Sequence, residues 1–257
     1  MRSIRAITLL AAALTCAAAA DFSWHGRIGP GQAIEIKGIN GMVRAERASG
    51  AEVEVSAVKT GRRSNPASVQ IQAVDHPGGV TICAVYPSED FGRANECRPG
   101  SGGHMSVHNN DVRVEFAVRV PAGVNFVGRT VNGEVEAASL SGDVEAYTVN
   151  GRVRISTTGL ARANTVNGSI TASVGKANWT RPVAFHTVNG SITVELPAAA
   201  GAQLQAATVN GHISTDFPLA IRGRFSGKHI SGTLGSGGPE LSLKTVNGSI
   251  DIRRNMI

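Results

Sequence analysis

The chain has 257 residues, of which 42% are hydrophobic but only 4% are aromatic, and its formal net charge is +6. Its basic residues are scattered along the chain rather than clustered, which argues against a nucleic-acid-binding face. Beyond the first 20 residues there is no apolar stretch of the length that a transmembrane helix requires. We therefore expect a globular chain that binds no nucleic acid and has no transmembrane segment.

Residues 1–20 have the pattern of a secretory signal peptide. Arg2 and Arg5 precede a short apolar stretch, and three alanines before Asp21 offer a small-residue cleavage site. A lipoprotein signal with Cys16 as the lipidated residue fits less well, because Thr15 departs from that motif. The pattern therefore predicts an exported protein, located in the periplasm or at the cell surface.

Two cysteines, Cys83 and Cys97, remain once the signal peptide is removed. A pair of cysteines in an exported protein predicts a disulfide, and the alternative is two free thiols. The second cysteine lies in a segment rich in glycine and proline, residues 86–110, that departs from the rhythm of the rest of the chain. We expect this segment to be an excursion held by the disulfide.

A four-residue word, Thr-Val-Asn-Gly, occurs six times in the second half of the chain. A repeated word at intervals of this kind indicates a repeated structural unit. A related copy, Gly-Ile-Asn-Gly, lies at 38–41, and a degenerate copy lies at 229–234, where serine stands in place of asparagine. The predicted corner residues of the repeat are Asn40, Asn132, Asn150, Asn167, Asn189, Asn210, Ser231 and Asn247.

Polar and apolar residues alternate on both sides of each word. Alternation with a period of two predicts strands with one buried face. In this phase the threonine of the word points inward, and Asn-Gly forms a corner because both residues tolerate positive φ. A second corner at Ser141-Gly142 completes a unit of two strands and two corners.

Two all-β architectures are compatible with this unit. Asn-Gly is a strong hairpin signal, so one alternative is an antiparallel meander or barrel. The shared word favours a parallel β-solenoid, similar to a β-helix, because corners of successive turns then lie only about 4.8 Å apart. Stacking in register would also place Glu134 beside Arg152 and Glu136 beside Arg154. We predict the solenoid, built of two-strand turns with Asn-Gly corners, as a single domain over 28–255.

The repeated word, a Pro-Ala lead-in before it and the signal peptide together resemble a known bacterial group. This group is the "putative adhesin" domain of unknown function, of the toastrack type. The triplet at 38–40 is distantly similar to the head GIN domain of autotransporter adhesins. The resemblance covers about residues 30–255, and it implies a β-solenoid in the cell envelope with no catalytic residues to carry over.

The sequence contains no motif of a catalytic nucleophile, a zinc protease or a phosphate-binding loop. Carboxylates cluster at 134, 136, 143 and 145, and paired carboxylates are typical of carbohydrate-active enzymes. Charged residues at outward strand positions are usually only solvated, and arginines follow at 152 and 154. We therefore expect no enzyme activity, no metal and no cofactor, with a carbohydrate-active solenoid enzyme as the weakest alternative.

Small hydroxyl residues form two outward columns in the predicted stack. The candidate binding face consists of Ser169, Ser191 and Ser249 in one column and Thr171, Thr193 and Ser214 in the other. A flat face of this kind can bind a glycan or an envelope protein, although it also suits a plain solvated sheet. The sequence thus favours a non-enzymatic, adhesin-like binding or structural module. The alternative is a structural or envelope-stress-sensing module with a protein partner.

Overall fold

A computed structural model describes residues 21–88, 94–221 and 228–255. The predicted signal peptide, with Cys16, lies outside the described residues. The described chain forms an all-β structure, with a short 3-10 turn at Pro66–Ser68 and no α-helix in those three ranges. Nowhere in those ranges does a helix have the length and apolar character needed to span a membrane.

The strands form two large sheets. Sheet A contains, in spatial order, β1 (Phe22–Gly26), β4 (Val53–Thr60), β7 (Arg113–Val120), β3 (Val43–Arg47), β9 (Val135–Leu140), β11 (Val153–Thr157), β13 (Ile170–Val174), β15 (Ile192–Pro197), β21 (Ile250–Asn255) and β17 (Ile213–Thr215). Sheet B contains, in spatial order, β18 (Leu219–Ile221), β19 (His229–Leu234), β16 (Ala202–Ala207), β20 (Glu240–Lys244), β14 (Val183–His186), β12 (Ala161–Asn164), β10 (Val144–Tyr147), β8 (Asn125–Arg129), β2 (Ala33–Lys37), β6 (Gly79–Val85) and β5 (Gln70–His76).

The inward residues of both sheets form one continuous hydrophobic core. In β11, for example, Val153 and Ile155 are buried while Arg154 between them is exposed. The largest fully buried side chains include Phe126 and Phe185 of sheet B. Burying an aliphatic or phenylalanine side chain contributes about 1.5–3 kcal/mol, so this alternating pattern is the main stabilising feature of each strand.

The central units stack in parallel. The sequence β9, β11, β13 and β15 runs in order through sheet A, and β8, β10, β12 and β14 run in order through sheet B. Neighbouring strands are parallel, with Val153 beside Ile170 and Ile192 beside Ile170. A meander of hairpins would make these neighbours antiparallel, so that alternative is wrong. We call each pair of strands joined by an Asn-Gly corner a rung.

The N-terminal part of the stack contains an insertion. β6 and β7 are parallel to the first rung, β2 and β3, and lie on its outer side, away from β8 and β9. β4 then pairs antiparallel with β7, β1 with β4, and β5 with β6. The first rung is thus covered by strands that follow it in the sequence.

The C-terminal part of the stack departs from sequence order. β20 lies between β14 and β16, and β21 lies between β15 and β17. The last rung of the sequence is therefore inserted before the rung that contains Asn210. The predicted corner at Ser231 is wrong, because Ser231 lies within β19 and pairs antiparallel with Gln205. Alternation around Ser231 did indicate a strand, but alternation does not specify the direction of pairing.

The disulfide prediction is confirmed. Cys83 of β6 is bonded to Cys97, with a Cα–Cα distance of 5.7 Å, within the usual range for this bond. Both cysteines are buried. The bridge therefore ties the described part of the excursion at 86–110 to an inner strand of sheet B.

Candidate functional site

The corner asparagines form a continuous ladder of side-chain hydrogen bonds. Each Nδ2 donates to the Oδ1 of the asparagine on the neighbouring rung. The pairs are Asn132 to Asn40 at 2.9 Å, Asn150 to Asn132 at 2.9 Å, Asn167 to Asn150 at 2.7 Å, Asn189 to Asn167 at 2.8 Å, Asn247 to Asn189 at 2.7 Å and Asn210 to Asn247 at 2.7 Å. Seven of the eight predicted corner residues thus lie in one line, in the spatial order of the rungs.

The glycine of the word is required by the closeness of neighbouring backbones. A Cβ placed on Gly151 would lie 1.8 Å from the carbonyl oxygen of Gly133, and one on Gly168 would lie 1.9 Å from that of Gly151. Among the described residues the corner asparagines have no positive φ. The expectation that Asn-Gly is selected for positive φ is therefore wrong for the asparagines, and steric closeness explains the glycines.

The threonine of the word points inward, as predicted, and is buried in all six copies. Its hydroxyl donates to the glycine carbonyl of the neighbouring rung, for example from Thr148 to Gly133 at 2.8 Å and from Thr187 to Gly168 at 2.8 Å. Each threonine therefore satisfies a buried polar group and joins two rungs.

The valine of the word points outward. The exposed large hydrophobic residues of the described chain are Val131, Val149, Val166, Val188, Val209 and Val246. We call these six residues the Val row, and the Val row with the asparagine ladder the ladder edge. Stacking of identical words predicts a row of valines beside the asparagine ladder, but it does not by itself predict that this row is exposed. Strand parity contains that signal, because the residue after an inward-facing threonine faces outward. These valines make the ladder edge a candidate interaction surface.

The predicted serine column is present on the outer face of sheet A. Ser169 Oγ accepts the backbone N–H of Ser191 at 3.2 Å, and Ser191 Oγ accepts that of Ser249 at 3.2 Å. Ser249 Oγ also lies 2.9 Å from Nδ1 of His212. These hydroxyls therefore stabilise the stack itself, and all three serines are only half-exposed.

The predicted threonine column is wrong in its last member. Thr171 and Thr193 are neighbours, but Asp251 lies between Thr193 and Ser214. Ser214 Oγ donates to Asp251 Oδ1 at 2.5 Å. The cause is the insertion of the last rung, which places a carboxylate in a row of hydroxyls.

The other half of this outer face is charged. Arg152 forms an ion pair with Glu134 at 2.8 Å, and Arg154 lies 3.6 Å from the same carboxylate. The predicted register is confirmed, since Glu136 is the Cα partner of Arg154, but the Glu136 carboxylate pairs with Arg44 at 3.2 Å. These carboxylates are at least partly exposed and bound by arginine, which is typical of surface ion pairs that contribute little stability.

A polar cluster that the sequence did not predict lies on the outer face of sheet B, beside a shallow cavity of about 290 Å³. Glu35 is buried; it accepts from Arg129 Nε at 2.7 Å, from Thr81 Oγ1 at 2.9 Å and from the Gly100 amide at 2.8 Å. Because both Glu35 oxygens are bonded within the fold, the role of Glu35 is to hold the excursion against the sheet.

Lys37, a neighbour of Glu35, reinforces this arrangement. Lys37 Nζ donates to the carbonyl oxygens of Arg98, Gly100 and Gly102 at 2.7, 2.8 and 2.9 Å. Burial lowers the pKa of Lys37, against an opposing effect of the nearby Glu35 carboxylate. The described residues contain no group of three or more His, Cys, Asp or Glu side chains arranged to hold a metal ion.

Comparison with known proteins gives one family and several structural neighbours. A family model described as Toastrack DUF4097 matches residues 126–253, and no curated protein matches the chain. A "putative cell adhesion protein" from Clostridium sporogenes is 12% identical, with a TM-score of 0.45, and the match covers 91% of this chain and 99% of that one. A "putative adhesin" from Bacteroides fragilis is 12% identical, with a TM-score of 0.26, covering 90% and 96% of the two chains.

Proposed function

Residues 126–253 belong to the toastrack DUF4097 family, and from this premise we propose that the chain is an exported, non-enzymatic binding module of the cell envelope. Its rungs would form one parallel β-solenoid domain over 28–255. The parallel pairing of the central strands and the unbroken asparagine ladder support this architecture. The pattern of residues 1–20 supports export.

The proposed binding surface is the ladder edge together with the adjoining outer face of sheet A from β13 to β17. The observation that carries the proposal is the Val row, because it concentrates the exposed large hydrophobic residues of the described chain in one line. Asparagine amides and serine hydroxyls run parallel to it. A surface with apolar and polar rows side by side offers both contact area and hydrogen bonds to a partner.

The partner that this surface suits best is a chain with its own regular repeat. Rungs recur about every 4.8 Å, so an extended partner lying along the stack meets the same side chains at successive rungs. Flat hydroxyl rows favour a glycan, and the two exposed or half-exposed threonines at 171 and 193 would contribute there. The Val row favours the second candidate, a structural or sensing module with a protein partner, because exposed apolar patches are typical of protein interfaces.

The experiment compares two variants of the full chain on a glycan array. In the first, Val166→Asp and Val188→Asp place charge on the ladder edge. In the control, Gln205→Arg places charge on an exposed position of sheet B. Glycan binding that is lost in the first variant and kept in the control supports the glycan form of the proposal. Binding that is unaffected by the ladder-edge variant contradicts the proposed surface.

The two partner classes are separated by site-specific photo-crosslinking. A crosslinker at position 188 should capture one envelope protein that the same crosslinker at position 205 does not capture, if the partner is a protein. The absence of both glycan binding and specific crosslinking would overturn the binding function. Cleavage of a polysaccharide that disappears in a Glu134→Gln, Glu136→Gln variant would overturn the non-enzymatic assignment.

A further inference from the structure

Asn-Gly dipeptides carry a chemistry of their own. The backbone nitrogen of glycine attacks the side-chain Cγ of asparagine, forming an N–C bond while the C–NH₂ bond breaks and ammonia leaves. Water then opens the resulting succinimide ring to aspartate or isoaspartate, so an amide is exchanged for a carboxylate. The reaction requires a glycine nitrogen that is free to approach Cγ and a backbone that can move. The chain contains seven Asn-Gly pairs, in the six Thr-Val-Asn-Gly words and at residues 40–41, and each presents the same reactive group.

Most of these groups are held by the neighbouring rung. In each protected rung the glycine N–H donates to the asparagine carbonyl of the next rung. The bonds are Gly41 to Asn132 at 3.0 Å, Gly133 to Asn150 at 3.1 Å, Gly151 to Asn167 at 3.1 Å, Gly168 to Asn189 at 2.9 Å, Gly190 to Asn247 at 2.9 Å and Gly248 to Asn210 at 3.0 Å. The glycine nitrogen is thus engaged in a hydrogen bond, and its attack on Cγ requires the two neighbouring rungs to separate locally.

Asn210 is the last member of the asparagine ladder among the described residues. Within the described ranges, the N–H of Gly211 donates no hydrogen bond, and Gly211 is exposed, whereas the glycines of the other five words are half-buried. Asn210 donates to Asn247, but its own Oδ1 accepts no ladder bond from a further rung among those residues. Val209 is also 55% exposed, against 37–40% for the other members of the Val row. The strand that follows, β17, has three residues and is the edge of sheet A.

We propose that Asn210 is the deamidation site of this protein, and that stacking protects the asparagines of the other six Asn-Gly pairs. The product would change the ladder as well as the charge. A carboxylate at position 210 has no amide donor for Asn247 Oδ1, and it places a negative charge against that oxygen. The terminal rung would therefore lose its side-chain bond to the rest of the stack, while the internal rungs keep theirs.

The test uses the intact protein and peptide mapping by mass spectrometry during incubation in mildly alkaline buffer. We expect the amide at Asn210 to be lost at least about tenfold faster than at any of the other six Asn-Gly pairs, a ratio equivalent to about 1.4 kcal/mol of protection. A comparable or faster rate at Asn40, Asn132, Asn150, Asn167, Asn189 or Asn247 overturns the proposal.

Two controls keep the result interpretable. In denaturant the six words share the same four residues, so their rates should converge to within a few-fold. If Asn210 keeps its full advantage in denaturant, local sequence explains the rate and the structural proposal is overturned. A second readout does not depend on the deamidation rate. Asn210→Asp should increase amide hydrogen exchange around residues 208–215 and leave the exchange of residues 150–170 unchanged. Unchanged exchange at 208–215 would contradict the proposed consequence.

Discussion

The two ends of the strand stack are finished in different ways. At the N-terminal end, the first rung is covered by the inserted strands β6 and β7, and a disulfide and the Lys37 hydrogen bonds secure the adjoining excursion. At the C-terminal end, sheet A ends with the three-residue β17, and Gly211 is exposed. In sheet B the rung of Asn210 is still paired on both sides, because β16 lies between β20 and β19, but in sheet A its strand β17 is paired on one side only. The chain thus protects one end by covering it and leaves the other with a short edge strand, which limits pairing with other chains.

The largest effect on stability is expected at the covered N-terminal end, when the disulfide is removed. Replacing Cys83 and Cys97 by serine should lower the free energy of unfolding by about 3 kcal/mol, because the bridge restricts the unfolded chain. The sequence separation of 14 limits the effect to this size, since longer closed loops give more. Urea denaturation under oxidising conditions measures the difference. Under reducing conditions the parent protein should fall to the stability of the variant, and a parent that stays more stable would contradict this explanation.

A glycine pair compares an internal rung with the open end. Gly168→Ala should cost about 2–3 kcal/mol, because its Cβ would lie 1.9 Å from the Gly151 carbonyl oxygen inside the stack. Gly211→Ala creates a similar clash, at 2.0 Å from the Gly248 oxygen, but the end rung can move away and the cost should be about 1 kcal/mol. Thermal unfolding of the two variants checks this, and equal losses would mean that the end rung is as constrained as the centre.

An asparagine pair makes the same comparison through hydrogen bonds. Asn167→Ala removes one bond donated to Asn150 and one accepted from Asn189, and should cost about 1–2 kcal/mol. Asn210→Ala removes a single bond and should cost about half as much. Chemical denaturation measures both. A larger loss at Asn210 would show that the ladder is anchored at its C-terminal end.

The smallest expected effect is on the pH dependence of stability, and measuring it tests the order of rungs at the C-terminal end. Burial lowers the pKa of His186 below its ordinary value of 6.5, and the positive charge of Lys244 adds to this. Lys244 lies beside His186 because β20 is inserted next to β14. A lowered pKa means that the folded state disfavours the protonated ring, so stability is full above pH 6.5 and decreases as the pH falls through the folded pKa.

His186→Gln should therefore make the free energy of unfolding depend less on pH between pH 7 and pH 5. The difference between the parent and the variant over this range should be less than about 1 kcal/mol. Lys244→Gln should shift the pKa of His186 upward, as followed by the ring proton resonances in NMR spectra. If Lys244→Gln leaves that pKa unchanged, the two side chains are not neighbours in solution.

The repeated word made much of the fold predictable. Strand parity, inward threonines and the adjacency of Asn132, Asn150 and Asn167 all follow from a unit that is spelled the same way each time. The disulfide also followed, from cysteine number and expected export. These features are local or periodic, and periodic features can be read from sequence spacing alone.

The candidate site was only partly predictable. The serine column was placed correctly, but the roles of its hydroxyls as backbone acceptors depend on distances between rungs. Stacking of the words predicts the Val row, whereas its exposure is implied only by strand parity within the corner. The polar cluster around Glu35 depends on an insertion that brings Thr81 and Gly100 to the same carboxylate, and no local pattern indicates such a contact.

The sequence by itself determined the rung: which residues face inward, where the corners lie and which side chains recur along the edge. Only the tertiary structure decided the order of rungs, with the rung of Asn247 between those of Asn189 and Asn210, and the antiparallel pairing of Ser231. The physical reason is that the four-residue word determines the local geometry of its own rung, while every rung presents the same backbone hydrogen-bonding groups to its neighbours. The choice among equivalent neighbours then depends on the connecting segments and on packing of the whole core.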